Sequence, residues 1–494
     1  MVGDRTDRGP QRAITNGSGS FGRSAGRPRP AAAAQLRQNE ASETVGRPSE
    51  RSSEIHILFA SKMTTNGTKA ETGAIDRYPP PERCREIQLH KLNEVLAVAK
   101  KRPFYANRLG DVSLPLESLE RLSELPLLSK DDLLCEQRGR PAKIFDAAPG
   151  DYIRMHQTSG SKGWPMPIRD TAADWRWWID CWQYVLDAAE VTAADVAMMA
   201  FSFGPFIGFW TANDALVHRG ALVVPGGGMS SEARLRMIQD HRCTVVCCTP
   251  TYALHLAGVA IENGIDLAAS SVRVVIVAGE PGGSVPAVRG RIESTWGARV
   301  VDHSGASEVG AWGFGDADGQ GLHVIETEFI AERLRFDEAH LLGTPADDGD
   351  EAELVLTNLG RHGGPAIRYR TGDMVRGFRH HDLPCPFLWL RGGVLGRADD
   401  MLIVRGVNVF PSSVEAVIRE VEPSGEYRVT VTRREQMDQL KVEIETTPEK
   451  VRALAGHLRD RLAMRIEAVA ADAGSLPRFE AKARRWIDNR QEST

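Results

Sequence analysis

No apolar run in the sequence reaches the roughly 20 residues that a membrane-spanning helix needs, so we expect no membrane association. An excess of positive charge is also missing. The net charge is −5, whereas nucleic-acid-binding proteins usually present a basic surface. Cysteine is scarce: the seven residues are scattered, odd in number and form no CxxC pair, which argues against a disulfide framework. These absences favour a cytoplasmic protein that binds neither nucleic acid nor membrane.

What is present is an ordinary globular composition, with 42% hydrophobic and 26% charged residues. A chain of 494 residues should form more than one domain. Residues 1–62 differ from the rest, because they are rich in Arg, Ser, Gly, Ala and Pro and have almost no apolar periodicity. We predict that this tail is disordered, and we hypothesise that Met63 is the true start.

Helical patterns follow the tail. Apolar residues at helical spacing predict a helix that ends near 101–103, and Ser129 can cap a second helix. A third helix is predicted at 174–186. It carries a tryptophan stripe that should face the core, formed by Trp175, Trp178 and Trp182.

Strand-like apolar runs then alternate with helical patterns, at 221–225, 243–249 and 272–278. This alternation predicts an α/β protein with helix-covered, largely parallel sheets. A group of His241 and three cysteines could suggest a metal site. We interpret the cysteines as buried small residues, with Cys243 and Cys247 on one face of a strand and Cys248 on the other.

The stretch 156–165 concentrates small hydroxyls, glycines and one lysine in a few residues. Glycines allow backbone N–H groups to point at one anion, and hydroxyls and a lysine add donors and charge. The stretch is therefore chemically suited to bind phosphate. A polar hairpin turn explains the same residues about equally well.

A second unusual stretch, 201–210, interleaves aromatic residues with glycine and proline. Such a sequence cannot form a regular buried helix and suits a loop that lines an apolar cavity. Simple packing beneath a loop is the alternative. The candidate pocket residues are Phe201, Phe203, Phe206, Phe209 and Ala278.

Three carboxylates, Glu280, Glu308 and Asp373, follow apolar strands directly. Ligands of α/β proteins sit at such strand ends. A carboxylate there can ligate Mg²⁺ or accept hydrogen bonds from ribose hydroxyls, although any one of them could instead cap a helix.

Five separated motifs occur in a fixed order: TSGSKGWP at 158–165, AGEP at 278–281, SGASE at 304–308, YRTGD at 369–373 and GRADDMLIVRGVNVFPSSVE at 396–415. A sixth, SLPRFEAKARR, lies at 475–485. Together they resemble the phenylacetate–CoA ligase family of the adenylate-forming superfamily, from about Ile87 to Trp486. The resemblance implies a large α/β domain at 63–396 and a small, mobile α+β domain at 397–494.

The resemblance also implies roles for the motif residues. Glu308 would hold Mg²⁺, Asp373 and Arg397 would contact the ribose, Lys482 would meet the reacting carboxylate and α-phosphate, and Asp399 would be the hinge. The phosphates of ATP would be bound by Thr158, Ser159, Gly160, Ser161, Lys162 and Gly163. Gly279, Glu280 and Pro281 would border adenine. The cofactor site would also include Ser304, Gly305 and Ser307. The face of the small domain that shapes the thiol tunnel would carry Arg405, Gly406 and Asn408.

Three departures from the family pattern stand out. Lys162 and Trp164 replace the residues usual in the phosphate loop. Ser304 stands where relatives have an adenine-stacking tyrosine, so adenine must find another apolar wall or bind more weakly. Of the ligands for a structural zinc that some relatives carry, only His323 and Cys385 are plausible, too few for a closed site.

The sequence thus predicts an ATP-dependent ligase that adenylates an aromatic or arylacetic acid and transfers the acyl group to coenzyme A, with a monoacid favoured. A homodimer is suggested by the resemblance alone. One alternative keeps the adenylation and uses an amine, a carrier-protein thiol or a small inorganic nucleophile as acceptor. A remote alternative is a nucleotide-binding protein without catalysis.

Overall fold

The computed structural model describes most of the chain from residue 77 to residue 490. The predicted disordered tail and Met63 lie outside the described residues. Further stretches are also outside them, namely 111, 136–138, 159–164, 209, 317, 338–339, 380–384, 399–401, 405–406, 410, 424, 435–436, 463, 478–484 and 491–494.

The helices of the described part carry the labels α1 to α10. Their bounds are α1 Pro81–Ala99, α2 Pro103–Leu109, α3 Lys130–Leu133, α4 Ala172–Ala188, α5 Trp210–Arg219, α6 Ser231–Asp240, α7 Pro250–Glu262, α8 Pro286–Trp296, α9 Pro411–Val421 and α10 Pro448–Leu462. Among the described residues, none of these helices has the length and apolar character to cross a bilayer.

The strands of the described part are β1 to β20. Those before the small domain are β1 Arg154–Gln157, β2 Pro167–Asp170, β3 Val196–Met199, β4 Leu222–Pro225, β5 Val245–Cys248, β6 Val274–Ala278, β7 Arg299–Ala306, β8 Gly310–Gly315, β9 Gly321–Val324, β10 Phe329–Arg335, β11 Thr344–Pro345, β12 Glu351–Asn358, β13 Tyr369–Phe378 and β14 Trp389–Arg397. The others are β15 Leu402–Val404, β16 Val407–Val409, β17 Tyr427–Arg434, β18 Met437–Glu445, β19 Glu467–Ala471 and β20 Trp486–Asp488.

One large sheet dominates the protein. Its strand order is β11-β10-β12-β13-β14-β9-β8-β7-β6-β5-β3-β4 within the described residues. The run from β4 through β3, β5 and β6 to β7 is parallel. From β7 to β11 every described pairing is antiparallel. The α/β class is therefore confirmed.

The prediction of largely parallel sheets needs correction, because the large sheet is mixed. The parallel half has helices between its strands, and parallel strands require such long crossovers. After β7 the chain turns back within residues 307–309 and enters β8 directly. A connection that short can join only antiparallel strands.

The predicted helices and core residues of the large domain are confirmed. Helix α4 spans the predicted 174–186 and begins with a capping box between Thr171 and Asp174. Its three predicted core tryptophans are at most 5% exposed. Ser129 caps α3, again with a capping box, although α3 is a single turn.

The cysteines of the β5 region are buried, as predicted, but their faces differ from the prediction. Cys247 packs in the core on the α4 side of the sheet. Cys243 lies with Cys248 in the core on the opposite side. Cys243 precedes β5, so the alternation of a strand does not extend to it.

A smaller domain follows the large sheet. It contains the β15–β16 hairpin, a four-stranded sheet in the order β19-β18-β17-β20, and helices α9 and α10. It has a hydrophobic core of its own, in which Val414 and Ile418 of α9 meet Val429, Val442 and Leu454. Helix α9 also contacts α8 and β14 of the large domain.

A buried ion pair ties the β1–β2 hairpin to the large sheet. The side chains of Arg361 and Asp170 are both 0% exposed, and Arg361 Nη2 lies 2.7 Å from Asp170 Oδ1. The guanidinium also lies over the rings of Phe145 and Trp178, and its Nη1 donates to the Ser307 carbonyl at 2.8 Å. Arg361 therefore connects β2 with the turn after β7.

We expect Arg361→Met to destabilise the folded protein by about 3–5 kcal/mol, because it leaves the Asp170 carboxylate buried without its cation. Chemical unfolding followed by fluorescence and circular dichroism measures the change. Arg335→Met is the control, since Arg335 and Asp350 form an exposed pair and should contribute about 1 kcal/mol or less. Adding Asp170→Asn to Arg361→Met should recover part of the lost stability. If Arg361→Met and the control Arg335→Met lowered the free energy of unfolding equally, the stabilising role of the buried pair would be contradicted.

Candidate active site

The carboxyl ends of the parallel strands form one edge of the large sheet. Met199, Cys247 and Ile276 are in register on β3, β5 and β6, and all three pack in the core on the α4 side. Ala278, two residues beyond Ile276, lies on the same face, directly opposite His303 of β7. The predicted pocket residue Ala278 is thus at the strand edge where ligands of α/β proteins bind.

The aromatic loop lies at this edge too. Phe201 follows two residues after the end of β3 and packs on Phe203, with ring centroids 4.9 Å apart. Phe203 in turn meets Trp210 edge-on at 4.6 Å, and Trp210 Nε1 donates to the Gly204 carbonyl at 2.9 Å. Phe206 is 50% exposed, so its side chain is not enclosed with the other two. Phe209 lies outside the described residues.

The AGEP motif forms the turn after β6. Gly279 has φ +94°, a conformation that favours glycine. The Glu280 carboxylate accepts a hydrogen bond from the Thr251 amide at 2.8 Å, in the first turn of α7. Glu280 therefore acts as a cap of α7 here, and Pro281 beside it is exposed.

The end of β7 carries two titratable groups, the partly buried Asp302 and the buried His303. Asp302 accepts from the Ser284 hydroxyl at 2.6 Å and from the His303 amide at 3.0 Å, and burial raises its pKa to about 6. Burial lowers the pKa of His303 to about 4, so this imidazole is neutral at physiological pH. Ser304 and Ser307 are partly buried, and Gly305 is exposed.

Glu308 lies in the turn between β7 and β8. It is 6% exposed, and its Oε1 is 3.0 Å from Lys130 Nζ of α3. Sequence reasoning placed Lys130 in a capped helix but missed this contact, because nothing local relates residues so far apart in the chain. The Ser129 cap, which fixes the start of α3, is the one sequence signal near it.

The YRTGD motif begins β13 and is held by a dense set of hydrogen bonds. The Gly372 amide donates to Glu353 Oε1 at 3.2 Å, and the Thr371 hydroxyl donates to the Leu354 carbonyl at 2.7 Å. Asp373 Oδ1 accepts a hydrogen bond from Arg397 Nη1 at 3.0 Å, and the same nitrogen donates to the Thr371 carbonyl at 2.8 Å. Asp373 and Arg397 are opposite each other on β13 and β14.

The electrostatic interaction between Glu308 and Asp373 indicates that the two carboxylates lie close together. Burial raises the pKa of Asp373 to about 6; Arg397 lowers it, and the nearby Glu308 and Glu353 carboxylates raise it. Three predicted site residues, Glu308, Asp373 and Arg397, are thus brought together. Glu353 belongs to the same group, although no motif assigned a role to it.

The predicted phosphate loop connects β1 to β2. Thr158 is 6% exposed, its amide donates to the Met166 carbonyl at 3.0 Å, and its hydroxyl accepts from the Met166 amide at 3.1 Å. These bonds close the base of a hairpin. Nine predicted residues of this loop and of the small domain's hinge and catalytic segments lie outside the described part. They are 159–163, Asp399, Arg405, Gly406 and Lys482, with Asn408 described only as part of β16.

A catalytic or binding site of acidic, cationic and glycine-rich elements at such an edge is typical of nucleotide-dependent enzymes. The AMP-binding enzyme family matches residues 51–328, and the AMP-binding enzyme C-terminal domain matches residues 406–490. The chain belongs to the AMP-binding enzyme family.

Its relatives include phenylacetate-coenzyme A ligases. The protein of Escherichia coli (strain K12) is 30% identical, covering 85% of this chain and 97% of the relative. That of Aromatoleum evansii is 33% identical over 68% of this chain and 74% of the relative. The protein of Thermus thermophilus is 29% identical over 83% of this chain and 98% of the relative.

Solved structures of a 2-hydroxyisobutyryl-CoA ligase share the fold. In the postadenylation state, in complex with R3-HIB-AMP, that ligase has a TM-score of 0.76 and 26% identity, covering 85% of this chain and 94% of the other. In the thioesterification state, in complex with 2-HIB-AMP and CoA, the TM-score is 0.62 at 26% identity, over 88% and 96% of the chains.

The raised pKa of Asp373 predicts a pH-dependent stability. Because this pKa of about 6 lies above the roughly 3.9 of an unfolded Asp, folding takes up a proton between about pH 4 and pH 6. The ionised carboxyl then destabilises the folded protein at neutral pH by on the order of 3 kcal/mol. Asp373→Asn should be more stable than the wild type near neutral pH.

The difference between Asp373→Asn and the wild type should shrink as the pH falls through 6 and vanish near pH 4. Urea unfolding at several pH values measures it. Asp350→Asn, at the exposed pair with Arg335, controls for the loss of an ion pair as such. A stability difference that stays constant from pH 4 to pH 8 would contradict the assignment.

Proposed function

We propose that the protein is an ATP-dependent ligase that adenylates an aromatic or arylacetic monocarboxylic acid and transfers the acyl group to coenzyme A, releasing AMP and pyrophosphate. The observation that carries this proposal is the joining of Glu308, Asp373 and Arg397 at one sheet edge of a chain in the AMP-binding enzyme family. The similarity to phenylacetate-coenzyme A ligases over most of the chain supports the acid and the thiol.

The residues at the site fit the parts of this reaction. The carboxylate of Asp373, aligned by Arg397, can accept from the two ribose hydroxyls of ATP. Glu308 suits Mg²⁺, which usually takes one or two protein carboxylates and completes its shell with water and substrate phosphates. Bound there, Mg²⁺ would supply positive charge to the phosphates. Lys130, beside Glu308, adds a second positive charge at the same place.

The apolar face at the strand edge suits the ring of the acid. Phe201, Phe203 and Ala278 offer apolar surface, and no described residue among them carries a charge for a second carboxylate. A carboxylate is a poor electrophile, and the adenylate gives it a good leaving group. Lys482 is proposed to stabilise the charge that develops at the α-phosphate during this step.

The thiol step is proposed to follow a rotation of the small domain about Asp399, two residues after the end of β14. Arg405, Gly406 and Asn408 would then reach the adenylate and shape the path of coenzyme A. Structures of the 2-hydroxyisobutyryl-CoA ligase in the postadenylation and thioesterification states support such an alternation. A cytoplasmic location and a homodimer remain further parts of the proposal.

ATP–pyrophosphate exchange across benzoic, hydroxybenzoic, aminobenzoic and arylacetic acids tests the first half-reaction. We expect exchange that depends on the acid and on Mg²⁺, and AMP release that coenzyme A accelerates. Exchange that coenzyme A leaves unchanged would retain the adenylation and direct the search to an amine, a carrier-protein thiol or an inorganic nucleophile. ATP binding without exchange for any acid would overturn the proposal in favour of a non-catalytic nucleotide-binding protein.

Lys482→Ala should lower adenylate formation by at least about 10²–10³-fold, because one preorganised cation at the developing charge is lost. Thiol transfer from a chemically supplied acyl-adenylate should remain largely intact, since that step follows the rotation. Lys450→Ala is the matched control in the same domain, where Lys450 pairs with Glu422 at 2.9 Å. Equal loss of both steps in Lys482→Ala would remove Lys482 from its assigned role.

A further inference from the structure

The proposed reaction assigns no role to His303, a polar residue near the carboxyl end of β7. His303 is 7% exposed and lies directly opposite Ala278 on the neighbouring strand β6. Because side chains alternate along a strand, His303 shares the α4 side of the sheet with Val301. Its ring packs on Trp182 of α4, with centroids 4.3 Å apart. The imidazole therefore stands on the face that carries the proposed apolar pocket of the acid.

The hydrogen bond of one ring nitrogen fixes the character of the other. His303 Nδ1 lies 2.7 Å from the Gly313 carbonyl oxygen, which can only accept, so Nδ1 carries a hydrogen. Burial keeps the ring neutral at physiological pH, with a pKa of about 4. Nε2 of a neutral ring protonated at Nδ1 holds a lone pair and no hydrogen. Nε2 is therefore an acceptor.

This acceptor is open towards the site. Among the residues that the structure describes, no donor is hydrogen-bonded to His303 Nε2. A Cβ built on Gly305, which is exposed in the SGASE turn, would stand 3.5 Å from it. The absence of a side chain at Gly305 thus leaves Nε2 uncovered, and an acceptor in an apolar pocket favours a ligand that brings a donor.

The carboxyl group of the substrate cannot supply that donor. The ionised carboxylate, and the mixed anhydride that it forms with the α-phosphate, have only acceptor oxygens at the reacting group, and these would repel the Nε2 lone pair. We propose that His303 Nε2 accepts a hydrogen bond from a hydroxyl or amino substituent of the acid, so that the substrate is a hydroxy- or amino-substituted aromatic or arylacetic acid. The assignment rests on the proposed function and names the class of its acid.

The test compares acids in matched pairs by ATP–pyrophosphate exchange. Each hydroxy- or amino-substituted benzoic or phenylacetic acid, at the ortho, meta and para positions, is paired with the methyl analogue of similar size. At one ring position or more, the wild type should prefer the donor-bearing acid in kcat/KM by at least about tenfold, since a site built for a donor rejects the analogue that lacks it.

Variants of His303 then separate its two nitrogens. His303→Asn keeps an N–H that can reach the Gly313 carbonyl but removes the acceptor at Nε2. The preference should therefore fall to within about threefold while exchange with the methyl analogue is maintained. His303→Gln places an amide oxygen near Nε2 and should retain part of the preference. His323→Asn makes the same change at another buried histidine, on β9, and should leave the preference unchanged.

The possible outcomes separate the role of His303 from the proposed ligase activity. Exchange in the wild type without any preference for donor-bearing acids, or a preference that survives in His303→Asn, would overturn the role of His303 and leave the ligase intact. A raised KM for ATP in His303→Asn without a change in acid preference would assign Nε2 to the nucleotide instead. No exchange with any acid would overturn both.

Discussion

Three carboxylates crowd one edge of the large sheet, and the site depends on how their charge is balanced. Each pairs with its own cation at 3.0 Å or less, in the pairs Lys130–Glu308, Arg370–Glu353 and Arg397–Asp373. Without these cations the mutual repulsion in a buried place would disfavour folding. Burial raises the pKa of Asp373 to about 6, Arg397 lowers it, and the Glu308 and Glu353 carboxylates raise it further. Carboxylate oxygens gathered at one edge are suited to bind a cation and to accept hydrogen bonds from hydroxyl groups.

The change of strand direction at β7 places this site. In a purely parallel sheet, the end of β7 would lead into a crossover helix that carries the chain away. Here the chain turns within three residues into β8, so Glu308 stays at the edge beside the ends of the parallel strands. The antiparallel half then returns β13 and β14 to the same region. One edge therefore receives residues from both halves of the sheet.

Local patterns predicted much of the fold. The capping boxes at Ser129 and Thr171 depend on residues three apart, and the tryptophan stripe on helical spacing, so both are readable from the sequence. The expectation that both carboxylates follow a strand is confirmed for Glu308, which lies just after β7, but is wrong for Asp373, which lies within β13. Cys243 was assigned to the wrong face, since alternation was extended beyond the strand that produces it.

Long-range partners could not be predicted. The pairing of Lys130 with Glu308 and the burial of Arg361 against Asp170 depend on tertiary packing, and no spacing rule relates these residues. His303 carried no motif signal of its own. The tautomer of His303, and with it the acceptor character of Nε2, follows from the position of the Gly313 carbonyl on β8, which only the structure shows. The order of β9, β14 and β13 in the sheet likewise has no local signature.

The end of β14 limits where the proposed rotation of the small domain can begin. Arg397, its last residue, stays in register with Asp373, and the Ala398 amide donates to the Gly372 carbonyl at 2.6 Å. The chain is thus clamped to the sheet up to the residue before Asp399. Because the proposed hinge follows this fixed segment directly, a small change in its backbone torsion angles would move the small domain over a large distance. Asp373 and Arg397, the two residues proposed to bind the ribose, belong to this fixed segment. A bound nucleotide would therefore make the segment beside the proposed hinge more rigid.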